Sequence, residues 1–177
     1  TFRSAVAEAA VLHGASIIND IAAGFLDEKM LPTVAKLQVP YIMMHMKGTP
    51  ETMQSLAFYE NIYKEVLYYF SERIAVARSY GINDILIDPG FGFAKTLEHN
   101  YELMQHLDYF QHLDLPILIG VSRKSMLYKL LETTPEHALN GTTVLNTIGL
   151  QKGASILRVH DVKEAVECIT ILEQLKK

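Results

Sequence analysis

Residues 84–95 read Asp84-Ile85-Leu86-Ile87-Asp88-Pro89-Gly90-Phe91-Gly92-Phe93-Ala94-Lys95. A short, unbroken apolar run ends in an acid and is stopped by Pro-Gly. That is the pattern of a strand buried on both faces, not of one that alternates between core and solvent. Upstream, residues 58–80 predict a long helix: Ile62, Val66, Phe70 and Ile74 recur every fourth residue, and Gly81 ends it. Downstream, residues 98–112 predict a second helix and residues 115–120 a second strand. The alternation extends both ways. Strands are predicted at 16–21, 41–46 and 155–159, and helices at 3–13, 27–38, 123–132, 135–151 and 162–175. Pro32 falls in the first turn of its helix, where proline is tolerated.

Five βα units behind one leading helix make an α/β protein with a parallel, covered sheet. A doubly wound sheet and part of a (βα)8 TIM barrel both fit. No glycine-rich dinucleotide fingerprint follows any strand, which disfavours the first. A complete barrel takes about 250 residues. The 177 residues would then supply roughly its last five βα units, as a single domain over 1–177 with no linker or repeat.

The composition is that of an ordinary globular chain, with 49% apolar and 20% charged residues. A net charge of -4 argues against a general nucleic-acid binder. No apolar run reaches the ~18–20 residues of a membrane helix, so no membrane role is expected. The single cysteine, Cys168, excludes an internal disulfide framework and fits a reducing compartment.

In both architectures ligands bind at the carboxyl ends of the strands. Those ends are polar throughout: Asn19-Asp20, His45-Met46-Lys47-Gly48, the Asp88–Lys95 loop, Gly120-Val121-Ser122-Arg123-Lys124-Ser125, and Arg158-Val159-His160-Asp161. The Asp88 carboxylate can accept two parallel N–H donors from a ring edge, and the Asn19 amide can read a mixed edge. Alone, Asp88 is equally a turn or capping acid before Pro-Gly, and Asn19 reads first as a strand-end turn residue. Gly90 and Gly92 permit a tight loop, while Phe91 and Phe93 offer ring faces. One Phe is expected to close the core, leaving Phe93 toward a ligand. Ser122-Arg123-Lys124-Ser125 is read as a helix start with two cations, suited to an anion. Arg158 and His160, two apart, would share a side and hold a second anion.

Other features read plainly. His99, His106 and His112 lack metal-ligand spacing. Met44 could wall a ring pocket. The tyrosines Tyr59, Tyr63, Tyr68 and Tyr69 exceed what one core face needs, and read as a subunit contact or an amphipathic surface.

Taken in order, six stretches resemble the dihydropteroate synthase family of the folate pathway. They are Thr1-Phe2-Arg3, Ile17-Ile18-Asn19-Asp20-Ile21, Met44-His45-Met46-Lys47-Gly48, Asp88-Pro89-Gly90-Phe91-Gly92-Phe93, Ser122-Arg123-Lys124-Ser125 and Arg158-Val159-His160-Asp161-Val162. The resemblance implies a TIM barrel acting as a cytoplasmic homodimer. The implied reaction condenses 6-hydroxymethyl-7,8-dihydropterin diphosphate with p-aminobenzoate, assisted by Mg2+ and open to sulfonamides that mimic p-aminobenzoate. It assigns Asn19, Met44, Asp88, Gly120 and Lys124 to the pterin, and Phe93, Lys124 and Ser125 to p-aminobenzoate. Arg158, Val159 and His160 would bind the diphosphate with the start of the last helix; Lys124, Arg158 and His160 are the expected catalytic groups. The family's metal-binding Asn, its two mobile loops and an Asp lie before the segment matching Thr1, so the metal ligand is expected outside this chain. A pterin-binding corrinoid methyltransferase, a Schiff-base aldolase using Lys124, and a binding-only fragment are the competing readings.

Overall fold

The computed structural model describes residues 1–175. Five parallel strands lie side by side in chain order: β1 (Ile18–Asp20), β2 (Tyr41–Met44), β3 (Ile85–Asp88), β4 (Ile117–Ile119) and β5 (Ala154–Leu157). Strictly consecutive order has no point of reversal, which removes the doubly wound alternative. The seven helices are α1 (Ser4–Leu12), α2 (Met30–Leu37), α3 (Ile62–Ser79), α4 (Leu97–Gln105), α5 (Ser125–Tyr128), α6 (Leu139–Gln151) and α7 (Val162–Leu175).

The two faces of the sheet bury different things. One face carries Ile18, Tyr41, Met43, Ile85, Ile87, Ile117 and Ile119 into a single core with the helices. The other buries a small separate cluster of Ile42, Leu86 and Leu118. Helices on one face and a small apolar layer on the other are what five of a barrel's eight βα units present. α6 sits very close to β4: a Cβ on Gly149 would come within 2.2 Å of Ile119 Cδ1.

Local sequence chemistry sets the boundaries. The Asn61 side chain accepts from Lys64 N at the start of α3. Thr96 and His99 cap each other reciprocally at the start of α4. Where the expected elements differ, backbone turns are the reason. The 98–112 helix stops at Gln105 and continues as tighter 3-10 turns over Leu107–Leu113, ended by Asp114 at φ 53°. The 123–132 helix shrinks to α5, because Arg123 (φ 54°) and Glu132 (φ 50°) adopt left-handed backbone that a helix excludes. The 135–151 helix is a 3-10 turn over Pro135–His137 followed by α6. The strands are trimmed relative to the reading: β1 and β4 at both ends, β2 and β5 at the carboxyl end, where the chain turns into the rim loops, and β3 only at its amino end.

The tyrosines are spent inside the chain. Tyr59 is buried and donates to Ala94 O; Tyr69 donates to Met44 O; the Tyr63 ring lies 4.3 Å from that of His106. Of the four, only Tyr68 is largely exposed.

Candidate functional site

Strand pairing stacks the inward residues into layers. Asn19 is level with Ile42, which is level with Leu86. One layer nearer the carboxyl ends, Met44 is level with Asp88. At the far strands Arg158 N donates to Ile119 O, and the Arg158 Cβ lies 3.9 Å from where a side chain on Gly120 would begin. Met44, Asp88, Gly120 and Arg158 therefore follow one another along the upper inner rim, with Asn19 below them. Gly120 keeps the floor open beside Arg158.

Asp20, the neighbour of Asn19, has a structural task. Its carboxylate accepts from Ala22 N at 2.9 Å, Gly24 N at 2.7 Å and Tyr41 Oη at 2.6 Å, closing the loop after β1. Asn19 is different: its Oδ1 is buried and has no hydrogen-bond partner. Such a group costs about 1–3 kcal/mol unless a ligand or water satisfies it.

The Asp88 carboxyl is buried, and Oδ1 accepts from Gly90 N at 2.8 Å. Burial holds its pKa above the usual carboxylate value, opposed by the Gly90 N–H and by Lys124, Lys95 and Arg158. Gly90 takes φ 73°, and a Cβ there would stand 2.1 Å from His45 O. The loop thus crosses directly over the end of β2. Phe91 is fully buried in the core, whereas Phe93 is half-buried with Lys124 Nζ 4.9 Å from its ring centre.

Lys124 spans this loop, its Nζ donating to Phe91 O. Burial brings its pKa down to about 8, with Asp88 opposing and Arg158 adding. Arg123 plays no part in that shift. Its guanidinium is turned outward and clasped by Asp161 at 2.9 and 2.6 Å. The expected pair of free cations at a helix start is therefore corrected: Arg123 is already neutralised, and the helix that follows has only four residues. The outward turn comes from the left-handed backbone at Arg123, whose N–H is taken by Thr142 Oγ1. Ser125 opens α5 and lines a cleft of about 360 Å3 with Gly92, Lys95, Thr96 and Lys129.

β5 ends at Leu157, so Arg158, Val159 and His160 lie in the extended segment before α7. Arg158 and His160 are exposed, and Val159 between them is half-buried. The buried Ser122 hydroxyl accepts from His160 N at 3.1 Å and meets Nδ1 at 2.9 Å, fixing the ring. Among the described residues no three His, Cys, Asp or Glu side chains converge on a point that could hold a metal.

Two residues that the sequence reading left without a role lie buried beneath this rim. Lys95 is 5% exposed, and His45 is 2% exposed. Their only sequence signal is a charged and a titratable residue set within otherwise apolar and glycine-rich rim segments.

An arc of parallel strands with an unpartnered amide oxygen, a buried acid and cations on one rim defines the chain's class. Residues 1–160 match the family described as "Pterin binding enzyme", and the chain belongs to that family. Its relatives include the dihydropteroate synthase of Escherichia coli strain K12, 44% identical over 162 residues, 90% of this chain and 57% of that protein. The bifunctional dihydropteroate synthase/dihydropteroate reductase of Helicobacter pylori is 37% identical, over 100% of this chain and 46% of its own. Among solved structures, the Yersinia pestis dihydropteroate synthase with a sulfonamide drug complex superposes with TM-score 0.96 at 39% identity, over 99% of this chain and 65% of that one. The Xanthomonas albilineans dihydropteroate synthase in complex with 7,8-dihydropteroate gives 0.91 at 37%, over 99% and 67%. The chain thus spans about half to two thirds of the length of these relatives.

Proposed function

We propose that this chain forms the C-terminal part of a barrel that condenses 6-hydroxymethyl-7,8-dihydropterin diphosphate with p-aminobenzoate, giving 7,8-dihydropteroate and diphosphate. The observation that carries the reading is the convergence of Asp88 with Lys124 and Arg158 on the inner rim, above an Asn19 oxygen that lacks a partner. Asn19 and Asp88 bind the polar edge of the pterin, Met44 and Gly120 wall the ring, and Lys124 contacts it. Phe93, Lys124 and Ser125 border p-aminobenzoate. Arg158, His160, the Val159 N–H and the first turn of α7 receive the diphosphate.

Charge development then explains the roles. The bond from the pterin methylene to oxygen breaks with both electrons leaving on the diphosphate. Arg158, together with His160, whose ring Ser122 fixes, meets that charge where it grows. Positive charge appears on the methylene carbon and the pterin ring, and the Asp88 carboxylate stabilises it. The arylamine lone pair forms the new C–N bond, and the nitrogen sheds one proton to the departing diphosphate or solvent. No protein nucleophile is needed.

A homodimer and a cytoplasmic setting belong to the same proposal. The dimer is supported by exposed Leu130, Leu131 and Val144 beside an apolar groove of about 540 Å3. Sedimentation velocity tests it. The setting is supported by the lone, unpaired Cys168. No helix among the described residues is long and apolar enough to cross a membrane.

The test is direct: full-length protein, both substrates, with and without added Mg2+, and mass spectrometry for dihydropteroate. Product supports the reading. Pterin binding without product leaves a binding module.

A further inference from the structure

The assigned roles leave unexplained a lysine buried beneath the rim. Lys95 Nζ lies 2.9 Å from Gly90 O, 3.0 Å from Phe93 O and 3.0 Å from His45 Nδ1. An ammonium has three donors, and here three acceptors surround it. Two belong to the loop after β3, which carries Asp88 at its start and Phe93 near its end. The third belongs to the end of β2. The same two segments also meet through His45 N donating to Asp88 O, and through the close crossing of Gly90 over His45 O.

We propose that Lys95 is a positioning residue: its buried amine, tied to His45 and to the carbonyls of Gly90 and Phe93, sets Asp88 and Phe93, at the two ends of one loop, relative to each other. Lys95 touches neither substrate; it acts through the loop. This rests on the pterin-site reading above and adds to it the element that holds both halves of the site in register.

The neighbouring charges make the link tolerant of protonation. Lys95 faces His45 and Lys47 at the end of β2, Asp88 from β3, and Lys124 after β4. Tyr59, whose ring carries Lys47, closes the outer side with His99 from α4 behind it. Burial lowers Lys95 to about 7, with Asp88 opposing and Lys124 and Lys47 adding. Burial, Lys95 and Lys47 keep His45 neutral, well below its ordinary pKa. With Lys95 charged, His45 Nδ1 accepts and its proton sits on Nε2. When Lys95 loses a proton, the amine still donates to both carbonyls and its lone pair accepts from Nδ1–H. One shift of the histidine tautomer preserves all three contacts.

Two measurements on the full-length protein test this. The first is the 15N spectrum of the His45 ring in the unmodified protein. At pH 6 it should show a neutral ring with an unprotonated Nδ1. A ring that titrates near its ordinary value, or keeps Nδ1 protonated at pH 6, overturns the link even if no variant folds. The second compares Lys95→Met with the parent by calorimetry, using 6-hydroxymethyl-7,8-dihydropterin and p-aminobenzoate in the presence of diphosphate as probes. Affinity for both should fall together, by about tenfold or more, since one loop carries both contacts. A folded variant with both affinities unchanged, or only one reduced, refutes the positioning role. If the parent itself binds neither probe, the pterin-site reading fails, and the histidine spectrum still decides the Lys95 link.

Discussion

Replacing Gly90 with Ala tests how tightly the loop after β3 is seated on β2. Two costs are separable. A side chain at φ 73° is strained by about 1–2 kcal/mol in the left-handed region. The new Cβ would also stand 2.1 Å from His45 O, a backbone atom fixed in the sheet. The loop must retreat by more than an ångström to restore ordinary contact, an overpacking cost of about 1–3 kcal/mol. Together the loss is about 2–5 kcal/mol, or about 5–20 °C in Tm for a chain of this size. Gly14→Ala is the matched control: it has φ 99° but nothing within 4 Å of the added carbon, so only the strain applies. Thermal unfolding followed by circular dichroism compares the two, and pterin calorimetry reads the site. Gly90→Ala should also lose about 10²-fold in pterin affinity, because Asp88 is displaced with the loop. Equal melting temperatures for the two variants would refute the steric reasoning, and undiminished binding would refute the seating of Asp88.

The other predictions concern single groups. Asp88→Asn keeps the contact with Gly90 N but loses the charged acceptor, so pterin affinity should drop by about 10–10²-fold in calorimetry. Arg158→Ala should weaken binding of the pterin diphosphate by about 10–10²-fold while leaving the unphosphorylated pterin unaffected; equal losses would place Arg158 on the ring instead. Lys124 has a pKa lowered to about 8, so its charge is full below that value and lost as pH rises through it. Affinity for the pterin should follow, falling above about pH 8, and Lys124→Ala should flatten the profile. For Lys95 the sign is that of a depressed base: the burial cost is full below about pH 7 and is relieved as pH rises from there toward the ordinary lysine value. Lys95→Met should therefore remove a rise in stability over that interval, read by denaturant unfolding across pH.

Much of the rim could be read from the chain because strand ends are marked locally. An apolar run stopped by Asp-Pro-Gly, or by Arg-Val-His-Asp, shows where a strand finishes, and parallel βα order puts all such ends on one side. The pairing of Phe91 with the core and Phe93 with the rim was likewise legible as a division of labour within one short loop. What misled was the run Ser122-Arg123-Lys124-Ser125. As sequence it offers two adjacent cations at a helix start. In the fold, left-handed backbone at Arg123 sends that guanidinium to Asp161, thirty-eight residues on, and leaves Lys124 alone over Phe93.

Periodicity and strand-end chemistry by themselves determined the α/β class, the chain order of five βα units and the residues available at the rim. These depend on local propensity and on the side-chain period, which short windows of sequence contain. Only the tertiary structure decided which cations are free, which tyrosines are internal, and that Lys95 and His45 form a buried link. Those outcomes depend on desolvation and on contacts between residues fifty positions apart, which no local window records.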